Sequence, residues 1–323
     1  MILIITFNPL LERRFYYSSV VEGNVNRNGK VIFQAGGKGL NVSRQLKKFG
    51  IDSYNLIFSG GNDGKILREC LKKENLQFTS VHTESETRQA AVIISENDKK
   101  VTSYFSENPV VSEKEIEEMK SRIEKMIVNC EIIVISGSAP SAEAERLVPF
   151  TINLANELDK ISVCDFYGNS LSDAIDSSPT ILHNNFSEIE ESLKVELKNE
   201  NQISEFLNSL YQKGIKRVFL TDEGNEFYAQ NFDYRYNIYP PNINFIDSTG
   251  SGDAFVAGII YAWKNGYVFE EAVKLATACG AINAESFEVC DVSLEQANSL
   301  KEKVKIEPVG KKMKIIDDRP HQE

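Results

Sequence analysis

The chain has 323 residues, 26% charged and 41% hydrophobic, the balance of a soluble globular protein with one large domain and a sizeable core. Its 36 Lys+Arg against 47 Asp+Glu give a net charge of −11. That argues against nucleic acid or an anionic membrane as the main partner, yet leaves an anionic small substrate open, because a few local cations and backbone amides can dominate one cleft. The five cysteines form no Cys-x-x-Cys pair, the three histidines are scattered, and Met1–Thr6 is a short apolar start without a basic leader. These features, with no run near the roughly 20 apolar residues of a membrane span, point to a reduced, cytoplasmic setting without zinc or a membrane helix.

In chain order, Ile2–Thr6 reads as a buried strand, and Gly39–Phe49 as a helix with Val42, Leu46 and Phe49 on one face. Tyr54–Phe58 is strand-like, and Asp63–Asn75 is helix-like through Ile66, Leu67, Cys70 and Leu71. Ser112–Val128 is an amphipathic helix carrying Ile116, Met119, Ile123 and Ile127. Glu131–Ser136, Ile161–Asp165, Pro179–Leu182 and Arg217–Thr221 are short apolar runs of the kind found in buried parallel strands. The alternation predicts an α/β fold, a doubly wound, mostly parallel sheet with helices on both faces. Two segments break the rhythm. Arg13–Phe33 and Arg88–Phe105 look like strand pairs without a helix, the second turning at Asn97-Asp98. They predict a small β element, taken as about 11–34 and 88–106, on a single domain covering 1–310. A polar tail follows at 311–323.

Two glycine motifs carry the chemistry. In Asp247-Ser-Thr-Gly-Ser-Gly-Asp-Ala-Phe-Val-Ala-Gly258, Gly250 and Gly252 permit a tight turn that opens a helix. The amides of Gly250, Ser251 and Gly252 then offer an anion site at a helix N-terminus. Asp253 stands beside it, where a carboxylate can accept the proton of an attacking hydroxyl. An ordinary helix start with Asp in its first turn reads the same way. Ala35-Gly-Gly-Lys-Gly-Leu-Asn41 opens the earlier helix, with Lys38 and Asn41 as polar contacts; its spacing is not that of a P-loop.

Taken in order, these motifs resemble the pfkB (ribokinase-like) family of carbohydrate kinases. Thr6-Phe-Asn-Pro9, Val25-Asn-Arg27, Ser59-Gly-Gly-Asn-Asp-Gly64, Glu86-Thr-Arg88, Ile135-Ser-Gly-Ser138 with Pro140, Asn185-x-x-Glu188 and Asn283 extend the match. They point to the branch with 1-phosphofructokinase and tagatose-6-phosphate kinase, over roughly Met1 to Val304. The resemblance implies a ribokinase-like fold whose β element is a lid over the sugar. It implies Asp253 as base and the Gly250–Gly252 amides as anion hole. Gly36, Gly37, Lys38 and Asn41 would line the sugar site, with Ser138 positioning the sugar. Arg27 and Arg88 would grip the phosphate already on the substrate, a task suited to guanidinium. ATP would be the donor, with His183, Asn185, Thr221, Gly224 and Asn283 on its side. Asn185 and Glu188 would hold Mg²⁺ through waters.

Three departures from the family pattern stand out. The Asp expected shortly after Asn-Pro, which the resemblance makes a ligand of a sugar hydroxyl, is Glu12, which keeps the charge, shifts it by one methylene and so bears on sugar choice. Lys-Pro-Asn is replaced by His183-Asn184-Asn185, leaving His183 as a phosphate contact or a spacer. The nucleotide loop reads Thr221-Asp-Glu-Gly-Asn-Glu226, with carboxylates where glycines are usual. The expected reaction converts fructose 1-phosphate and ATP to fructose 1,6-bisphosphate and ADP, with tagatose 6-phosphate as the alternative acceptor. A non-catalytic phosphosugar-binding protein and a kinase for an uncharged sugar are the competing readings. A homodimer paired through the lid edges is expected.

Overall fold

A computed structural model describes residues 1–309; the predicted polar tail lies outside the described residues. The elements are β1 (Ile2–Thr6), β2 (Leu10–Tyr17), β3 (Lys30–Gly36), α1 (Lys38–Lys48), β4 (Ser53–Gly60), α2 (Gly61–Lys73), β5 (Gln77–Thr83), β6 (Gln89–Ser95), β7 (Lys100–Phe105) and α3 (Glu113–Ile127). There follow β8 (Ile132–Gly137), α4 (Leu147–Glu157), β9 (Ile161–Phe166), α5 (Leu171–Asp176), β10 (Ile181–Asn185), α6 (Phe186–Leu193), α7 (Glu200–Gln212) and β11 (Arg217–Thr221). The chain continues through β12 (Phe227–Asn231), β13 (Tyr234–Tyr239), α8 (Ser251–Lys264), α9 (Phe269–Asn283), α10 (Leu294–Lys301) and β14 (Lys305–Val309).

Ten strands form one sheet in the order β14-β13-β12-β11-β10-β9-β8-β1-β4-β5. From β5 to β11 the pairing is parallel; the apolar runs predicted six of these strands, and β5, a polar edge strand no predicted run covers, is the seventh. Those runs lack polar alternation because both faces are covered. On β1, Leu3 and Ile5 face the layer that includes α3 and α4, whereas Ile2 and Ile4 face the layer of α1, α8 and α9. The three strands at the other end, β12 to β14, are antiparallel and were not anticipated. Their turn is made by Phe232 at φ 57, a residue type that gives no turn signal. No described helix is long and apolar enough to cross a membrane.

The segments that broke the rhythm form a second, four-stranded sheet in the order β3-β2-β6-β7. Its inner residues Leu10, Ala90, Val92 and Ile94 are buried, whereas Val31, Phe33, Tyr104 and Phe105 are exposed. Ser112 caps α3 in a reciprocal capping box with Glu115, the signature Ser-x-x-Glu predicts.

Candidate active site

The carboxyl ends of β1, β8, β9, β10 and β11 border a cavity of about 650 Å³, where open parallel sheets bind ligands. Asp253 sits in the first turn of α8, lines that cavity and is 3% exposed. The turn before it depends on its glycines. Gly250 has φ 80, and a Cβ there would lie 2.4 Å from Val289. A Cβ at Gly252 would lie 3.1 Å from the His183 ring.

The amides of Gly250, Gly252 and Asp253 have no protein acceptor among the described residues. The Ser251 amide does: it donates to the Ser248 carbonyl at 3.0 Å. Of the three amides expected to form the anion hole, the middle one is thus occupied, because the Ser248–Ser251 turn closes on its fourth residue. Asn283, expected at the nucleotide, is instead a brace for this turn. It donates to the Thr249 carbonyl at 2.8 Å and Ser251 Oγ at 3.2 Å, and accepts from the Cys290 amide at 2.7 Å.

Asn41 Nδ2 donates to Asp253 Oδ2 at 2.8 Å. Its orientation is fixed from behind, since Arg44 Nη1 donates to Asn41 Oδ1 at 2.7 Å. Burial pushes the Asp253 carboxyl up to about 7, and the nearby negative charge of Asp165 adds to the rise, against Lys38 and Asn41.

Asp165 is the penultimate residue of β9, is 0% exposed and was not singled out from the sequence. Its Oδ1 accepts from Lys38 Nζ at 3.2 Å and from His183 Nδ1 at 2.9 Å; its Oδ2 accepts from Ser136 Oγ at 2.7 Å. Burial alone would raise this carboxyl, but Lys38 and His183 outweigh it and hold it below its ordinary range. An ionised Asp165 only accepts, so His183 carries its proton on Nδ1 and turns Nε2 toward Thr221 Oγ1, 3.4 Å away. The ring is 2% exposed and stacks on Phe255 at 5.2 Å. The available signal for Asp165 was a carboxylate closing an apolar strand, at the sheet edge where sites form.

Lys38 lines the cavity, but it is not a free sugar contact. Besides Asp165, its Nζ pairs with Glu188 Oε1 at 2.5 Å. Burial pulls its ammonium down, and Asp165, Glu188 and Asp253 more than reverse that. Glu188 and Asn185 were expected to hold Mg²⁺, and here their oxygens are engaged otherwise. Glu188 Oε2 accepts from the Asn185 amide at 3.2 Å, and Asn185 Oδ1 accepts from the Glu188 amide at 2.7 Å, a capping box for α6. Both side chains are thus engaged within the protein, and among the described residues no three His, Cys, Asp or Glu side chains cluster as direct metal ligands; a Mg²⁺ held through its waters, as expected, would need only that their oxygens accept hydrogen bonds from those waters.

Arg88 lines the cavity and donates to the Asn8 carbonyl at 2.8 Å and Asn108 Oδ1 at 3.2 Å. It has no acidic partner among the described residues, its Nε is buried without an acceptor, and burial lowers its guanidinium from the ordinary value. Asn8 Oδ1 is likewise buried and unpaired. Gly37 and Glu12 also line the cavity. Three predicted sugar contacts do not. Arg27 is exposed on the β2–β3 connection and borders a separate cavity of about 530 Å³ with Tyr16 and Lys30. Gly36 is buried against Glu12, whose Oε1 would lie 2.6 Å from a Cβ there. Ser138 Oγ accepts from Asn8 Nδ2 at 3.2 Å. At the far end, Thr221, Glu223 and Gly224 line the cavity, with Glu223 at φ 44. Glu226 is held by Asn237 Nδ2 at 2.6 Å.

The model of the pfkB family of carbohydrate kinases matches residues 4–297. The chain belongs to that family. As a pfkB kinase it is 26% identical over 309 residues to a tagatose-6-phosphate kinase of Staphylococcus epidermidis, spanning 95% of this chain and 99% of that one. It is 26% identical over 292 residues to a 1-phosphofructokinase of Borreliella burgdorferi, spanning 90% and 94%. Among solved structures, a Thermotoga maritima protein described as a possible 1-phosphofructokinase superposes with a TM-score of 0.88 at 26% identity, over 96% of this chain and 100% of that one. Phosphofructokinase-2 of Escherichia coli, in a tetrameric inhibited form, shares the fold with a TM-score of 0.83 at 20% identity, over 93% and 98%. The pfkB kinase fold thus carries the cavity described above.

Proposed function

We propose that this kinase transfers the γ-phosphoryl group of ATP to a hydroxyl of a phosphorylated ketose, with fructose 1-phosphate as acceptor and fructose 1,6-bisphosphate as product. The observation that carries the reading is the buried Asp253 carboxylate, held by Asn41 beside the unpartnered amides of Gly250 and Gly252. In this reading Asp253 takes the proton of the attacking hydroxyl as its oxygen bonds to the γ-phosphorus. The bond to the β-phosphate oxygen breaks, ADP leaves with that electron pair, and the two amides stabilise charge on the transferring group.

Arg88 supports an acceptor that already bears a phosphate, since a buried guanidinium with spare donors and no carboxylate partner suits an anion. The two relatives at 26% identity are named for phosphorylated ketoses. Residues 1–310 are taken as one catalytic unit with the four-stranded sheet as its lid. The exposed Val31, Phe33, Tyr104 and Phe105 favour a homodimer through that sheet, which light scattering checks.

ADP release is measured with fructose 1-phosphate, tagatose 6-phosphate and fructose as acceptors. Turnover is expected with a phosphorylated ketose, and equal activity on fructose overturns the reading. A second reading, a phosphosugar-binding protein without turnover, is favoured by Glu223 in the cavity. Calorimetry showing sugar-phosphate binding with no ATP binding would support it.

A further inference from the structure

Arg14 is the largest fully buried side chain in the described protein, at 1% exposure. A buried guanidinium costs several hydrogen bonds to water and persists only where partners replace them. It lies on β2 between Glu12 and Tyr16, and alternation along a strand puts these three residues on one face. Nη1 donates to Glu12 Oε2 at 2.9 Å, Nη2 to the Phe287 carbonyl at 2.7 Å, and Nε to Tyr16 Oη at 3.3 Å.

The two ends of this fork matter. Glu12 lines the cavity, and its Oε1 has no protein donor among the described residues. Phe287 belongs to the stretch between α9 and α10 that also shapes the Gly250 turn. Val289 packs where a side chain at 250 would go, and the Cys290 amide is held by Asn283. One guanidinium therefore joins a cavity carboxylate on the small sheet to the support of the turn beside Asp253. It also neutralises Glu12, so that an anionic acceptor meets an ion pair rather than a bare negative charge.

We infer that Arg14 is a positioning residue of the acceptor site, holding the Glu12 carboxylate by Oε2 so that Oε1 accepts from a sugar hydroxyl. This rests on the phosphosugar reading above. The glutamate at 12 and the arginine at 14 form one device: the longer side chain reaches the guanidinium and still borders the cavity. A merely structural Arg14 would glue the small sheet to the body and leave substrate recognition to others.

ADP release by the full chain separates the two, with fructose 1-phosphate and ATP varied in turn and thermal denaturation run in parallel. Arg14→Met is expected to raise KM for the sugar phosphate roughly 10–100-fold, the loss of a charged hydrogen bond. KM for ATP and kcat should each move less than about threefold. Arg14→Lys, which keeps the charge without the fork, falls between. If Arg14→Met does not fold, Glu12→Ala is compared with Glu12→Ala/Arg14→Met. Their sugar KM values should agree within about threefold, because no carboxylate remains to be held. An unchanged sugar KM in Arg14→Met, an equal rise in both KM values, or a double variant far weaker than Glu12→Ala overturns the inference. A wild-type chain that releases ADP with no phosphorylated ketose overturns the parent reading, and this inference with it, before any variant is made.

Discussion

The last residues of β9 and the first turn of α8 each bury one carboxylate, Asp165 behind Lys38 and His183 and Asp253 on the cavity itself, and their surroundings drive the two protons in opposite directions. Asp165 receives Lys38, His183 and Ser136 and stays below the ordinary carboxylate range. Asp253 receives one neutral donor, Asn41, faces the charge of Asp165, and rises to about 7. Two groups of one chemistry are thus sorted by their neighbours: one suited to stay charged and anchor, the other to take up a proton near neutral pH.

The hardest test of that contrast is Asp253→Asn. Loss of the base is expected to lower kcat on the order of 10²–10⁴, and near-normal turnover in a coupled ADP assay would show that the proton goes elsewhere. Stability should move the other way. The folded carboxyl binds its proton more tightly than the unfolded one, so wild-type stability falls as pH rises from about 4 to about 7. The Asn variant lacks that loss, so its denaturation midpoint should gain on the wild type from about pH 4 to about pH 7 and hold that gain above it.

Asp165→Asn should do the reverse, leaving Lys38 short of a buried partner at a cost of about 3–5 kcal/mol in urea unfolding. Because the charge of Asp165 is one cause of the raised Asp253, the acid limb of kcat/KM, expected near pH 7 in the wild type, should also shift to lower pH. A limb that stays in place would break the coupling between the two carboxylates. The smallest effect belongs to Asn41→Ala. Without its hydrogen bond to the ionised form, Asp253 rises further, the limb moves to higher pH, and kcat/KM at neutral pH falls roughly tenfold. Recovery at alkaline pH would distinguish this from a packing defect.

The parallel strands from β4 to β11 were legible because each holds an apolar run whose cause is local, whereas β5, Gln-Phe-Thr-Ser-Val-His-Thr at the sheet edge, carries too little apolar sequence to announce itself. Helix α3 was legible for the same reason, since its apolar stripe of Ile116, Met119, Ile123 and Ile127 repeats within one segment. Antiparallel β12 and β13 were not, since the first residue of their two-residue loop, at positive φ, is Phe232 rather than the glycine that would have announced a hairpin. At the cavity, the Gly250–Asp253 motif was readable as a helix start beside an anion site. The engagement of the Ser251 amide was not, because a turn closing on Ser248 leaves no mark on residue type. Arg27 and Arg88 read as equals from the sequence, and only one of them lines the main cavity.

From the sequence alone came the alternation of strand and helix, the glycine turn that opens α8 and the carboxylate at its first turn, all features whose physical causes are local. The tertiary structure decided which carboxylate keeps its proton. Lys38 and Asp165 stand 127 positions apart and meet only when α1 and β9 pack to the same sheet edge. Electrostatic neighbours act through space, at distances that chain order does not encode.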